Sequence, residues 1–147
     1  MIIEQDLIRL SSEARLFKGR AFSFRSKHSI GAAVLTASDD IFGGCNIESI
    51  ISGLGSCAEQ NAINHAVIHG QNCFRALATF DKKQNFPCGV CLQYLLQFSQ
   101  IDNTDIEIIA FDEAGTYTKK TLSELLPMGY RTEHNLAALK EYSGQKR

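Results

Sequence analysis

Three cysteines in two short segments constrain this chain more than any other feature. Cys57-Ala58-Glu59 opens one helical pattern, and Pro87-Cys88-Gly89-Val90-Cys91 opens the next. Ala58, Ala62, Ile63, Ala66 and Val67 give the stripe of a helix from Cys57 to His69, with Gly70 as its stop. Leu92, Leu95 and Leu96 mark the inward face of a second helix over about 88–98. Cys88 and Cys91 are three apart at that helix start, a spacing from which both side chains reach one metal. Free backbone N–H groups and the positive end of the dipole favour thiolate over thiol there, and Cys57 has the same benefit at its own helix.

Zinc favours thiolate and imidazole ligands in tetrahedral geometry, and three protein ligands leave one position open for water, as in catalytic sites. Glu59 stands two residues past Cys57, where a carboxylate can move protons between such a water and a leaving amine. Zinc brings the pKa of its water to about 7. The matching substrate is an electrophilic ring carbon that bears an amino group.

Other readings stay open on these residues alone. A lone CxxC is redox-active or structural in many cytosolic proteins, and a lone CxE carries little. A structural zinc needs a fourth ligand, for which Cys45, Cys73, His65 and His69 are the candidates. Cys45 and Cys73 fall in predicted strands and suit core packing, where free cysteine is common. His65 and His69, at i and i+4, form a potential ligand pair, but Cys57 lies two turns or more away.

With 147 residues the chain fits one domain over 1–147. Its charged fraction is 21% and its net charge −1, so no basic stripe points to nucleic acid. Lys140, Lys146 and Arg147, with Arg131 upstream, read as a scattered, solvated set. No apolar run is long enough for a membrane span. Glu4 and Asp6 without a basic start argue against a secretory signal, so the expected location is cytoplasmic. Five cysteines, an odd number, in a reducing compartment do not suit a disulfide framework.

The remaining pattern alternates helix and strand. Ile3, Leu7, Leu10, Ala14 and Phe17 predict an amphipathic helix over about 3–18. Strands are expected over 30–36, 41–46, 73–80, 106–111 and 116–121. Short helices are expected over 123–126 and 134–142. The expected class is α/β, three layers around one mixed sheet.

At this point the sequence resembles the cytidine deaminase family, from about Ala21 to Leu136. Gly31-Ala32-Ala33-Val34 is similar to its first strand. Gly44-Cys45-Asn46-Ile47-Glu48 is similar to its GCNxE segment, Cys57-Ala58-Glu59 and Pro87–Gln93 to its zinc motifs, and Leu125-Leu126-Pro127 to a late LLP element. The resemblance implies a mixed five-stranded sheet between helices and one Zn2+ per subunit, held by Cys57, Cys88 and Cys91. Glu59 would be the proton shuttle. Asn46 and Glu48 would hold ribose hydroxyls, and the Pro87 carbonyl would accept from the exocyclic amine. Ala58, His28 and Tyr130 would border the substrate, with Gln60 and Gln93 behind them. Tyr130 falls where an aromatic approaches the base in a neighbouring subunit, and the three-cysteine type implies a homotetramer, a dimer being the smaller alternative.

The implied reaction is hydrolytic deamination of cytidine and deoxycytidine to uridine and deoxyuridine with release of ammonia, a pyrimidine salvage step. Two alternatives are a deaminase of a modified cytidine or blasticidin S-like nucleoside, and a zinc-stabilised binding module without turnover. Several positions depart from the family pattern. Gln60 and Leu92 replace arginines, so less positive charge faces the thiolates and the zinc-bound water is expected to be less acidic. His28 replaces a Phe that contacts the pyrimidine, Ser29 replaces a Pro, and the loop Ser49–Ser56 lacks the usual Ala-Tyr pattern. Arg131 is expected on the surface.

Overall fold

The computed structural model describes residues 1–145; Lys146 and Arg147 of the expected solvated set lie outside the described residues. Five strands form one mixed sheet: β1 (Gly31–Thr36), β2 (Ile41–Cys45), β3 (Phe74–Phe80), β4 (Glu107–Phe111) and β5 (Tyr117–Thr121). Their order is β2-β1-β3-β4-β5, with β3 and β4 parallel and the other neighbours antiparallel. Helix α1 (Glu4–Lys18) covers one face against β1, β2 and β3. Helices α2 (Ala58–Ile68) and α3 (Gly89–Asp102) cover the other, joined by the short α4 (Leu122–Leu125) and by α5 (Leu136–Gln145), which packs on α3. The expected three-layer α/β architecture is what the chain adopts.

The layering follows from the two-residue period of a strand. Ala32 and Val34 of β1 point into the cluster under α2 and α3, with Ile63, Leu95 and Leu96. Ala33 and Leu35 point to the other face, against Leu10 and Ala14 of α1. With both faces covered, β1 is buried at every position and reads as a continuous apolar run. Each fully buried Leu or Ile in these clusters contributes roughly 1.5–3 kcal/mol relative to exposure.

Two glycines allow the helices to sit this close. A Cβ on Gly31 would lie 1.8 Å from the Ala14 carbonyl oxygen of α1, and one on Gly44 would lie 2.2 Å from the Ala62 nitrogen of α2. Backbone therefore rests on backbone on either face of the β1–β2 hairpin.

Most expected boundaries hold to within one or two residues. The largest difference is α3, which continues past Phe98 to Asp102. Ile101 is buried at its end, and Asn103 stops it in the left-handed conformation (φ 58°), a role that asparagine tolerates. Cys45 closes β2, whereas Cys73 immediately precedes β3; both are buried. Among the described residues no helix is long and apolar enough to cross a membrane.

Candidate active site

The pairing register brings the site together at one end of the strands. Gly31, at the start of β1, pairs with Cys45 at the end of β2 and with Phe80 at the end of β3. The segments 28–30, 46–48 and 81–88 therefore leave the sheet side by side. Helices α2 and α3 begin beyond the ends of β2 and β3, with Cys57 and Cys88 as their N-cap residues. Both caps are extended (ψ 155° and 165°), so each cysteine stands at the end of its helix where the first-turn N–H groups have no intrahelical partner.

Cys57, Cys88 and Cys91 place their sulfurs within 4.8 Å of one another, and Cys88 and Cys91 are 3.6 Å apart. A tetrahedral zinc with Zn–S near 2.3 Å needs sulfurs about 3.8 Å apart, so the three thiols fit that ion. They differ in environment. Burial pushes the Cys91 thiol far up, with the charges of Glu59 and Cys57 adding to it. Burial also raises Cys57. At Cys88 burial opposes ionisation, but the backbone N–H groups of Cys91 and Val90 and the neighbouring thiols outweigh it and hold the group below its usual value.

Glu59, on the first turn of α2, is 7% exposed. Burial raises its carboxyl above the ordinary range and the charge of Asp81 adds to this; its own backbone N–H and the adjacent Cys91 thiol pull the other way. A buried carboxyl whose affinity for protons is raised by its surroundings is a candidate for proton transfer.

A cavity of about 440 Å³ is lined by Cys57, Ser56, Asn46, Glu48 and Arg25 among others. Two of its lining residues are bridged by a pair of hydrogen bonds, Ile47 N–H to the Ser56 carbonyl (3.0 Å) and Ser56 N–H to the Ile47 carbonyl (2.9 Å). The Asn46 amide spans β1's approach: Oδ1 accepts from Ile30 N–H and Nδ2 donates to the His28 carbonyl, both at 2.8 Å. One N–H and one lone pair remain for another partner. The Glu48 carboxylate accepts from Arg25 N–H (2.7 Å), Ser26 N–H (3.2 Å) and the Ser26 hydroxyl, and the hydroxyl leads in holding it below the usual carboxylate range.

Other expected residues fall elsewhere. The His28 ring turns to Asp81, with Nε2 3.0 Å from Oδ2. Asp81 is 2% exposed and also accepts from Asn85 Nδ2 (2.8 Å) and Lys82 N–H (2.6 Å). Nothing at the sequence level singled out Asp81; the polar stretch after β3 reads as an ordinary loop. Ala58 and Pro87 are buried beside the cysteines they adjoin. Gln60 makes no side-chain hydrogen bond among the described residues. Gln93 grips Tyr130 by its backbone: Nε2 donates to the Tyr130 carbonyl (2.7 Å), and Tyr130 N–H donates to Oε1 (2.8 Å). Within this chain the Tyr130 ring is not in the Asn46–Glu48 cavity; it borders a separate groove of about 480 Å³ between α3 and α5.

His65 and His69 do not join the cysteine cluster. Each Nδ1 lies within hydrogen-bond distance of a carbonyl, His65 of Gly43 (2.9 Å) and His69 of His65 (2.8 Å), and both rings pack on Phe42. Among the described residues the three cysteines are the one group of three or more that meets the geometry for a metal.

Comparison with known proteins gives a consistent result. The model of the cytidine and deoxycytidylate deaminase zinc-binding region matches residues 4–106. A cytidine deaminase from Sporosarcina psychrophila is 31% identical over 130 residues, 87% of this chain and 93% of that protein. A blasticidin-S deaminase from Bacillus cereus is 29% identical over 115 residues, 71% of this chain and 79% of that protein. The crystal structure of cytidine deaminase from Burkholderia pseudomallei superposes with a TM-score of 0.76 at 26% identity, covering 88% of this chain and all of that one.

Proposed function

The chain belongs to the cytidine deaminase family, and we propose on that footing that it hydrolyses cytidine and deoxycytidine to uridine and deoxyuridine, releasing ammonia. One observation carries the reading: three sulfurs spaced for zinc, a buried Glu59 beside them, and a cavity lined by Cys57, Asn46 and Glu48. Cys57, Cys88 and Cys91 would hold one zinc. Zinc bound there supplies a Lewis acid that makes hydroxide available at neutral pH.

The chain's own residues supply the rest. Asn46 and Glu48 hold the sugar hydroxyls through the hydrogen-bonding capacity left on each side chain, and such a site disfavours a bare base because its polar groups would stay unpaired. The Pro87 carbonyl accepts from the exocyclic amine and sets the ring carbon over the metal side of the cavity. Glu59 takes a proton from the attacking water and returns one to the departing amine. A C4–O bond forms, the C4–N bond breaks, and the ring carbon ends as a carbonyl.

Residues 1–147 act as one domain in this reading, cytoplasmic and assembled as a homotetramer. Val90 and Tyr130 support the assembly: they are 66% and 74% exposed and line the same groove beside α3, where a partner chain would cover them.

Glu59→Gln tests the reading. The variant keeps the shape and hydrogen bonding of the site but cannot move a proton. Expected is retained zinc by metal analysis with turnover of cytidine down by about 10²–10⁴-fold. Undiminished turnover would remove Glu59 from the chemistry, and no turnover of either nucleoside by the parent protein would favour a zinc-stabilised binding module.

A further inference from the structure

The cavity that holds Asn46 and Glu48 carries one cation among its lining residues; it makes no close ion pair among the described residues, although, behind the Ser26 hydroxyl, its charge helps hold the Glu48 carboxyl below the usual range. Arg25 lines the same space as Cys57. Its guanidinium lies 5.8 Å from the centre of the Phe24 ring, and Nη2 donates to the Ser49 carbonyl at 3.3 Å. No carboxylate lies within ion-pair distance of it among the described residues. By contrast, Arg9 and Arg75 each reach both Asp6 and Asp39.

Arg25 is nevertheless held in place. Its backbone N–H donates to Glu48 at 2.7 Å, and the next N–H, of Ser26, donates to the same carboxylate. Glu48 is thereby engaged at the root of the Arg25 side chain, while among the described residues four of the five guanidinium N–H donors have no acceptor. A planar fork of donors at the wall of a cavity suits an anionic oxygen pair, a phosphate or carboxylate, better than a neutral sugar.

We propose that Arg25 is a specificity-determining residue that favours aminopyrimidine nucleosides carrying an anionic group on the sugar, beyond the hydroxyls. This rests on the deaminase reading, and it predicts a discrimination that reading does not contain. Cys57, beside which the base would react, Asn46, Glu48 and Arg25 all line this one space. The anion would reach the guanidinium while the base stays at the cysteines.

The test compares kcat/KM for cytidine, cytidine 5′-monophosphate and the 5′-carboxylate analogue of cytidine, in the zinc-loaded parent and in Arg25→Gln. The quantity read is the ratio of each anionic substrate to cytidine within one preparation, so any loss of folded protein cancels. Expected is a fall of tenfold or more in that ratio for Arg25→Gln, mostly through KM, with partial recovery in Arg25→Lys. A fall confined to the monophosphate assigns a phosphate, and one confined to the carboxylate analogue assigns a carboxylate. An unchanged ratio for both, with cytidine still turned over, overturns the role of Arg25 and leaves the deaminase reading intact. Absence of turnover on all three overturns both.

Discussion

His28 and Asp81 form a pair across the mouth of the sheet, with imidazole Nε2 3.0 Å from a carboxylate that is 2% exposed. The two residues belong to segments on either side of the β1–β3 pairing, and the pair joins the substrate-side loop to the end of β3. Burial works against the Asp81 charge, but Asn85, the Lys82 N–H and His28 outweigh it and hold the carboxyl below its usual value. A carboxyl depressed by folding stabilises the protein above its unfolded pKa, and that contribution is lost as pH falls through the folded value. The unfolded value is about 3.9, so the loss belongs below about pH 4.

Asp81→Asn should therefore cost about 1.5–3 kcal/mol at pH 7, the usual loss for a charged hydrogen bond. The gap between the two proteins should close as the pH is lowered below about 4. Urea unfolding at pH 7 and at pH 3 measures it, and a gap of equal size at both would show that the Asp81 charge contributes nothing to stability.

Gly44→Ala tests how tightly α2 is seated. The added methyl would lie 2.2 Å from Ala62 nitrogen and 2.5 Å from the Ala58 carbonyl oxygen, both backbone atoms. Helix α2 must move, at about 1–3 kcal/mol for overpacking. Cys57 and Glu59 move with it, so kcat should fall by more than the loss of folded protein explains. Full specific activity in the folded variant would mean that the helix start does not set the site.

Removal of zinc should lower the thermal midpoint, and added zinc should restore it. A ligand that binds only the folded state stabilises by about 2.7 kcal/mol at 100 times its Kd. Cys91 is the least exposed of the three thiols, so Cys91→Ser should lose both metal and stability, and the chelated wild type should melt near that variant. A melting curve indifferent to chelator and zinc would exclude a metal at the three cysteines.

Sequence by itself determined the local pieces. The apolar runs of β1, β3 and β4 could be read directly, because strands covered on both faces are apolar at most positions. The starts of α2 and α3 were legible from Cys57 and from Pro87-Cys88, because a helix start is a property of a few adjacent residues. The three metal-binding candidates followed from those starts, and their sulfurs do lie within one cluster. The end of α3 was less legible: nothing before Asn103 forbids helix, and the apolar stripe simply thins.

Tertiary structure alone decided which polar groups meet. Asp81 finds His28 because β1 lies between β2 and β3, an order that local periodicity does not encode. Glu48 turns to the backbone of Arg25 and Ser26, and His65 of α2 and His69 at its end pack against Phe42 rather than join the cysteines. Burial patterns are short-ranged and repeat along the chain, so they survive in the sequence. The partners of a polar side chain depend on strand order and register, which are settled only when distant segments pack.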